Sequence, residues 1–366
     1  EGLMGVVEKD GSGNYWLAPV DKRVRDSAPI GDVGEAAEGE LVLAERMGKS
    51  ARSKVKVVEV IGDPLAPKAF SLIAIAKHGI PHVFPQETIA EAERAVDLPL
   101  SSEHREDLRD VPIVAIDPAD ARDHDDAIWA EPDGKGGYRA IIAIADVSYY
   151  VRPGGALDRE ARKRGNSTYF PDRVVPMLPD RLSGDLCSLH EGVPRACIAV
   201  RMVLDAKGQK LSHAFHRGMM KSPASLHYEE VQDAIDGNVN DRTKPLLEPV
   251  LKPLYAAYAA LKEARELRQP LDLDLPERRI ELGEDGKVKS VNFKDRLDAH
   301  KLIEELMVLA NVAAAETLLA KKTPLLFRVH EEPSPEKLES LRETAQAAGF
   351  KLAKGQVLQT AHLNRL

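Results

Sequence analysis

The chain has 366 residues, which is enough for two to three domains of ordinary size and excludes a peptide hormone or a disulfide-stabilised miniprotein. Hydrophobic residues make up 43% and charged residues 30%, a composition that excludes wholesale disorder. With 51 Lys and Arg against 59 Asp and Glu the net charge is −8, so bulk charge disfavours a nucleic-acid partner and any such role must come from local features.

The start of the chain and its cysteines bear on the compartment. Residues Glu1 to Met4 lack the basic start and apolar stretch of a secretory signal, and no apolar run is long enough to span a bilayer. Cys187 and Cys197 form no C-x-x-C pair, which argues against structural zinc and predicts two small buried side chains in a reducing compartment. We expect a cytoplasmic protein without a membrane span, and a start on Glu rather than Met indicates a fragment.

Residues 1–62 alternate short β-rich stretches with glycine turns, a spacing that predicts a small OB-type β-barrel. Nine Lys and Arg against eleven Asp and Glu give this segment a net charge of −2, so a nucleic-acid role would depend on shape and on Tyr15 and Trp16. Packing of both rings in the barrel core is an equally open alternative. Residues 63–110 mix prolines with a short apolar stretch and a helical segment, and are predicted to form a connector.

From residue 111 onward, longer strands and helices predict a large mixed domain, so the fold class of the chain is α+β. The apolar segment Val111 to Asp117 is typical of a buried strand, and glycine-containing turns at 133–137 and 206–208 predict two hairpins. Apolar residues recurring at intervals of three and four, together with helix end signals, predict helices at 228–236, 246–268, 299–322 and 335–348.

A dense group of acidic residues follows the first strand of this domain. Five aspartates fall within ten residues, at Asp117, Asp120, Asp123, Asp125 and Asp126. Like charges this close repel one another unless a cation compensates them, and hard divalent ions take oxygen ligands. If the second segment is extended, Asp123 and Asp125 share one face and Asp126 lies on the other. A strand end and a returning loop therefore predict a site for one or two Mg²⁺.

This acidic stretch has two alternative interpretations, an EF-hand loop and a solvated acidic loop. An EF-hand loop needs glycine at position six and glutamate at position twelve, but counted from Asp123 these are Ile128 and Gly134, so that motif fails. A solvated acidic loop is the commoner fate of a charge run, although the apolar residues 127–129 draw the carboxylates toward the core. His124 alternates with the aspartates, so we expect its ring to point away from them and to serve packing or second-sphere support.

Motifs along the whole chain resemble the ribonuclease R branch of the exoribonuclease II/R (RNB) superfamily. The aspartate pattern matches the metal-binding signature of that family at every acidic position. The resemblance implies a cold-shock OB-type barrel at 1–62, a connector at 63–110 and the N-terminal portion of an RNB catalytic domain at 111–366. Further motif matches follow in order at 144–151, 164–173, 176–179, 182–189, 298–305 and 326–330.

The resemblance implies a Mg²⁺-dependent hydrolase, with Mn²⁺ as an alternative ion, that degrades single-stranded RNA from 3′ to 5′ and releases nucleoside monophosphates. It assigns Asp117, Asp123 and Asp126 as metal ligands. Asp125 is assigned as a catalytic carboxylate that also positions metal or water. Carboxylate-held ions suit this chemistry, because they activate water and stabilise the leaving oxygen of a phosphodiester. DNA and membranes are not expected partners.

The resemblance also assigns the RNA contacts. Tyr169 matches a tyrosine that stacks on the 3′-terminal base, and Arg164 and Arg173 belong to a basic patch near it in sequence. Tyr228 aligns with a tyrosine of the RNA cleft. Leu273 stands where the family usually places a phenylalanine opposite the stacking tyrosine. Aromatic stacking beside phosphate-binding cations suits sequence-independent recognition of a single strand.

One further departure keeps other functions open. The chain stops at Leu366, before the family segment whose arginine neutralises the scissile phosphate and before a C-terminal RNA-binding domain, so the fragment is expected to be weakly active or inactive. A catalytically impaired RNA-binding protein on the same scaffold is the main alternative, although a pure binding module has no use for four carboxylates that repel phosphate. A Ca²⁺-stabilised structural domain is a third, disfavoured by the failed EF-hand spacing.

Overall fold

The computed structural model describes residues 2–273, 275–352 and 359–366. The strands are β1 Gly2–Lys9, β2 Tyr15–Pro19, β3 Ala28–Asp32, β4 Leu41–Arg46, β5 Val55–Gly62, β6 Glu106–Asp107, β7 Ala115–Asp117, β8 Asp126–Pro132, β9 Tyr138–Ala145, β10 Thr168–Tyr169, β11 Val174–Val175, β12 Pro194–Leu204, β13 Lys210–Lys221, β14 Ser225–His227, β15 Arg278–Leu282 and β16 Val288–Phe293. The α-helices are α1 Phe70–Lys77, α2 Gln86–Arg94, α3 Ala156–Arg164, α4 Tyr228–Ile235, α5 Lys244–Leu246, α6 Lys252–Arg268, α7 Asp298–Ala320, α8 Pro335–Ala347 and α9 Thr360–Leu363.

The chain divides into two compact units, taken here in their described residues. The first unit comprises Glu1–Val96, Val151–Arg181 and Glu277–Lys294, and the second comprises Asp97–Tyr150, Leu182–Pro276 and Asp295–Leu366. Each unit is assembled from three separate stretches of sequence. The predicted limits at 62 and 110 follow neither unit, and they stay a prediction.

A closed barrel occupies the N-terminal part of the first unit, with strand order β1-β2-β3-β5-β4. Its interior is filled by alternating strand residues that include Val7, Leu17 and Val42, all fully buried. A Cβ atom on Gly5 would lie 2.4 Å from the carbonyl oxygen of Ala18, so only glycine lets β1 approach β2 there. The barrel prediction is confirmed.

The two aromatic residues of the barrel are only partly buried. Tyr15 packs against the barrel core, and the Trp16 indole Nε1 donates a hydrogen bond to Asp10 over 3.0 Å. Tyr15 thus takes part in core packing, which was one of its two predicted roles. Trp16 is instead hydrogen-bonded to a carboxylate of its own hairpin.

The second unit is built on a five-stranded sheet with the order β6-β13-β12-β9-β8. Its two long hairpins, β8 with β9 and β12 with β13, turn at the predicted glycine-containing positions. At the first turn, the Asp133 carboxylate accepts hydrogen bonds from the backbone N–H groups of Lys135 and Gly137. Gly134 and Gly136 have φ angles of +76° and +86°, which glycine adopts without strain.

Three helices bury the apolar face of this sheet. Helices α4, α6 and α7 contribute buried side chains to one core with β8, β9 and β12, and that core includes Ile128, Ile142, Leu254 and Leu302. The four predicted helices are found within a few residues of their expected limits, and Ser334 caps α8 by accepting a hydrogen bond from Lys337 N. Cys187 and Cys197 are buried free thiols, as predicted. The predicted α+β fold class is confirmed.

Candidate active site

The aspartates lie where one strand of the second unit ends and the next begins. Asp117 is the last residue of β7, and Asp126 is the first residue of β8. Val114 and Ile128 exchange two backbone hydrogen bonds of 2.9 Å, so the loop between the strands returns beside the strand it left. Ile116 and Ile128 are buried in the core, which draws the neighbouring carboxylates inward. The predicted convergence of strand end and loop is therefore present.

The carboxylates of this loop influence one another's ionisation. Burial, followed by the charges of Asp123 and Asp117, raises the pKa of Asp125 to about 6. Burial, followed by the charges of Asp117 and Asp125, raises the pKa of Asp126 to about 7. The Oδ2 atom of Asp126 is buried and has no hydrogen-bond partner. Negative charge at this place is thus only partly compensated by the protein.

The orientation of the His124 ring differs from its prediction, while its contact with Asp117 suits the predicted second-sphere support. Its ring does not point away from the carboxylates, because Nδ1 lies 2.7 Å from Asp117 Oδ2. This hydrogen bond is the main reason that the pKa of His124 is raised. The alternation argument assumed an extended strand, whereas residues 121–125 form an irregular loop that turns the ring toward Asp117. The ring also packs edge-on against His190, with centroids 5.6 Å apart.

Tyr228 is brought to the same carboxylates by a parallel strand pair. Strand β14 runs beside β7 with His227 opposite Asp117, and Tyr228 follows as the first residue of α4. Burial, followed by the charges of Asp117 and Asp126, raises the pKa of Tyr228 to about 12. Its ring stacks on His300 with a centroid distance of 3.9 Å and an interplanar angle of 18°. His300 lies in the family motif at 298–305, and the sequence predicted no role for it.

The donor set at this place suits a hard divalent ion. Aspartate oxygens are the ligands that Mg²⁺ and Mn²⁺ prefer, and a buried carboxylate oxygen without a partner is available on Asp126. In the part of the chain that the structure describes, no three His, Cys, Asp or Glu side chains already stand as ligands of one ion.

Three of the predicted RNA contacts belong to the first unit. Tyr169 lies on the short hairpin of β10 and β11, and its side chain is 70% exposed. Arg173 in the turn of that hairpin is half-buried and lies 3.5 Å from the carboxylate of Asp172. Tyr169 and Arg173 are accessible to a ligand as they stand.

Arg164 has different surroundings from those expected. Its side chain is only 2% exposed and pairs with Glu160 at 3.0 Å. It also donates to the carbonyl oxygen of Pro176 over 2.8 Å and covers the ring of Phe84 at 3.6 Å. Pro176 directly follows β11, so Arg164 supports the base of the hairpin that carries Tyr169. The burial of Arg164 and its bonds within the hairpin favour this supporting role, and a direct RNA contact by Arg164 stays a prediction.

Leu273 lies in an irregular segment of the second unit. Its side chain is 57% exposed, so it does not belong to the hydrophobic core. Just before it, Asp272 N donates to the side chain of Asn364 over 2.7 Å, and Arg265 pairs with the Asp272 carboxylate over 2.8 Å. This exposure leaves Leu273 free to contact a ligand, and the RNA contact that the resemblance assigns to it stays a prediction.

Two family models match the chain in the order that the fold suggests. A cold shock domain model matches residues 16–85, and an RNB domain model matches residues 105–365. The second match covers more than half of the chain. The chain belongs to the RNB domain family.

Known RNB proteins resemble the chain in sequence and in structure. Ribonuclease R of Vibrio parahaemolyticus is 39% identical over 352 residues, which are 94% of this chain and 42% of that protein. Ribonuclease R of Mycoplasma genitalium, solved in complex with ribose-methylated single-stranded RNA, superimposes with a TM-score of 0.84 at 25% identity, covering 100% of this chain and 58% of that one. Yeast Ssd1, a pseudonuclease, shares the fold at 19% identity with a TM-score of 0.66, covering 97% of this chain and 46% of that one.

The length of the chain limits which properties of its relatives apply to it. The chain spans less than half the length of the curated relative from Vibrio parahaemolyticus. Among the described residues, no helix is both long and apolar enough to cross a bilayer.

Proposed function

We propose that the chain provides the cold-shock barrel and much of the catalytic domain of a Mg²⁺-dependent exoribonuclease. In this proposal the protein hydrolyses single-stranded RNA from its 3′ end and releases nucleoside monophosphates. The observation that carries it is the aspartate loop between β7 and β8, which lies within the RNB match and concentrates partly uncompensated negative charge on a buried edge. The named ribonuclease R relatives support the reaction class.

The carboxylates have separate tasks in this mechanism. Asp117, Asp123 and Asp126 would hold a divalent ion, with Mn²⁺ able to replace Mg²⁺. When bound, such an ion activates water and stabilises the leaving oxygen of a phosphodiester. Asp125 directly precedes Asp126, and its side chain is partly desolvated yet still reached by solvent, so it is placed to accept a hydrogen bond from an incoming water. With a pKa of about 6 it is mostly ionised at neutral pH.

Aromatic and cationic residues would hold the RNA. Tyr169 is proposed to stack on the terminal base, and Arg173 to contact a phosphate beside it. Tyr228 keeps its proton at neutral pH, because its pKa is about 12, and its hydroxyl can donate a hydrogen bond to a phosphate oxygen near the carboxylates. Leu273 is proposed to offer an exposed apolar contact to a base.

We also keep the division into a barrel at 1–62, a connector at 63–110 and a catalytic portion at 111–366 as a proposal. The two family matches, at 16–85 and 105–365, support that order. A cytoplasmic location is proposed as well. Its support is the pair of buried free cysteines, which suits a reducing compartment.

A catalytically impaired RNA-binding protein is the second candidate. It is favoured by the shared fold with a pseudonuclease and by the lack, in the described part of the chain, of three side chains already set as ligands of one ion. Both candidates predict binding of single-stranded RNA. They differ in whether the bound strand is shortened.

The deciding experiment uses 5′-labelled single-stranded RNA and the gene product that contains this chain, with Mg²⁺ present. The first candidate predicts progressive shortening and monophosphate release, both reduced on the order of 10²–10³-fold in Asp125→Asn. Asp120→Asn, an exposed change in the same loop, is the matched control and should keep full activity. Binding without shortening would establish the second candidate. Shortening that Asp125→Asn leaves intact would refute this catalytic centre.

A further inference from the structure

The hydroxyl group of Ser188 forms two hydrogen bonds with the backbone of the aspartate loop. Ser188 is fully buried, with 0% exposure. Its Oγ accepts a hydrogen bond from the backbone N–H of His124 over 2.9 Å and donates one to the carbonyl oxygen of Arg122 over 2.8 Å. Since residues 122 and 124 flank Asp123, one hydroxyl fixes the backbone on both sides of this carboxylate.

The next residue completes the attachment. Leu189 N donates to the carbonyl oxygen of His124 over 2.8 Å, so both backbone polar groups of His124 are held by adjacent residues of one segment. With its backbone fixed in this way, the His124 ring reaches Asp117 at 2.7 Å. Ser188 and Leu189 thus act on two of the proposed ligands, Asp123 through its flanking peptides and Asp117 through His124.

Ser188 is itself held in place. Its backbone N–H donates to the carbonyl oxygen of Asp185 over 3.0 Å, just after a wide π-type turn at Arg181–Leu186. Its carbonyl oxygen accepts a hydrogen bond from Arg195 Nε over 2.9 Å. Turns of this kind recur beside functional sites, where they re-aim a short segment. The segment is therefore a fixed support and not a flexible neighbour of the loop.

The aspartate loop needs such a support. Residues 118–125 form no strand or helix, so their backbone groups depend on partners outside regular structure. The loop also carries carboxylates that repel one another and favour a more open arrangement. A buried hydroxyl that bonds on both sides of Asp123 opposes that opening.

We propose that Ser188 is a positioning residue of the metal centre, whose hydroxyl fixes the loop so that Asp123 and Asp117 face a common ion. This inference rests on the proposed function, because it needs the carboxylates to bind a metal. It adds to that function an uncharged residue that is not one of the carboxylate ligands. Removing an outer partner of metal ligands typically weakens metal affinity by about 10–100-fold.

The test measures binding of Mn²⁺ alone to the 366-residue chain, by electron paramagnetic resonance of the free ion. Ser188→Ala should weaken Mn²⁺ affinity by about 10–100-fold. Ser188→Thr, which keeps a hydroxyl group, should recover most of it. The matched control is Ser222→Ala, since Ser222 is also buried in the second unit at 1% exposure and its hydroxyl donates to the carbonyl oxygen of Ala224 and not to the aspartate loop. That control should change affinity by less than about twofold.

Melting in metal-free buffer separates positioning from general damage. Both variants should lower the melting temperature, Ser188→Ala more strongly because its hydroxyl makes two hydrogen bonds and that of Ser222 makes one, while only Ser188→Ala should lose Mn²⁺ affinity. If Ser188→Ala does not fold, Ser188→Cys replaces it, since it fills the same space with a weak hydrogen-bonding group and should show the same loss.

The outcomes distinguish this inference from the proposed function. A wild-type chain that binds no Mn²⁺ would refute the metal centre and this inference with it. A wild-type chain that binds Mn²⁺ while Ser188→Ala, or Ser188→Cys in its place, binds equally well would refute the role of Ser188 alone. Equal losses of affinity in Ser188→Ala and Ser222→Ala would also refute it, because the effect would then be general.

Discussion

Replacing Asp126 by asparagine should stabilise the metal-free chain at alkaline pH. Burial and neighbouring charge raise the pKa of Asp126 from an ordinary value of 3.8 to about 7. Because the folded protein holds this proton more tightly than the unfolded one, the stabilisation from the protonated carboxyl is complete at low pH. It is lost as the pH rises toward 7 and the folded carboxyl ionises. Asparagine has nearly the same shape and cannot ionise, so it avoids this loss.

The size of the effect follows from the pKa of Asp126. Raising the pKa from 3.8 to about 7 corresponds to about 4 kcal/mol in the free energy of unfolding. Asp125 shares the same repulsion, and water reaches this half-buried side chain, so we expect about half of that value. The free energy of unfolding of Asp126→Asn should thus exceed that of wild type by a margin that grows from near zero at about pH 4 to about 2 kcal/mol at about pH 8.

The assay is urea unfolding in EDTA across this pH range, followed by the fluorescence of Trp129. Trp129 lies in β8, three residues from Asp126, and a Trp16→Phe background removes the only other tryptophan. Asp120→Asn, in the exposed part of the same loop, is the control and should show no gain. Added Mg²⁺ should reverse the order, since the ion stabilises wild type and the variant lacks a ligand.

A variant that is no more stable than wild type at alkaline pH in EDTA would contradict this reasoning. So would a gain that is the same at every pH, since the gain must grow as Asp126 ionises. Either result would mean that the charge of Asp126 is compensated within the folded protein.

Three further predictions concern the metal and the RNA. The double variant Asp125→Asn, Asp126→Asn should lose most Mg²⁺ or Mn²⁺ affinity in a titration, and affinity equal to wild type would remove the metal site. Tyr169→Ala should weaken binding of a short single-stranded oligonucleotide by about 1–3 kcal/mol without lowering the melting temperature, whereas Tyr169→Phe should retain binding; unchanged binding in Tyr169→Ala would exclude stacking. Leu273→Phe in the gene product should tighten binding of an RNA 3′ end at unchanged melting temperature, because Leu273 is 57% exposed. Unchanged RNA affinity in Leu273→Phe, or a lowered melting temperature, would exclude this contact.

The sequence predicted best the elements with long periodic patterns. Helix α7 was predicted from the spacing of its apolar residues at intervals of three and four, and the two long hairpins from their glycine turns. The structure has these elements near the expected residues. The strand predicted over Val111 to Asp117 is found only as β7, Ala115–Asp117. The pair β10 and β11 and the strand β14 are only two or three residues long, too short to show a period. The hairpin of β15 and β16 exposes much of both faces, so it lacks the buried alternation that marks a strand.

The candidate site was predicted in composition but not in its supports. Aspartates that follow an apolar strand can be recognised from the sequence alone. The orientation of the His124 ring instead depends on a loop whose path is set by Ser188, 64 positions further along the chain. A serine in an irregular segment carries no pattern that separates it from a solvent-exposed one. The exposure of Leu273 and the burial of Arg164 likewise depend on tertiary neighbours that no local rule specifies.

The parallel pairing of β7 with β14 has a consequence for how the protein acquires its site during folding. It joins residues more than a hundred positions apart, and the contacts of His124 with Ser188 also span a long stretch of chain. Contacts of such high sequence separation form late, because a large loop must close first. A peptide of residues 111–130 is therefore expected to bind Mn²⁺ far more weakly than the folded chain, and the appearance of tight Mn²⁺ binding in a refolding experiment would time the closure of the second unit.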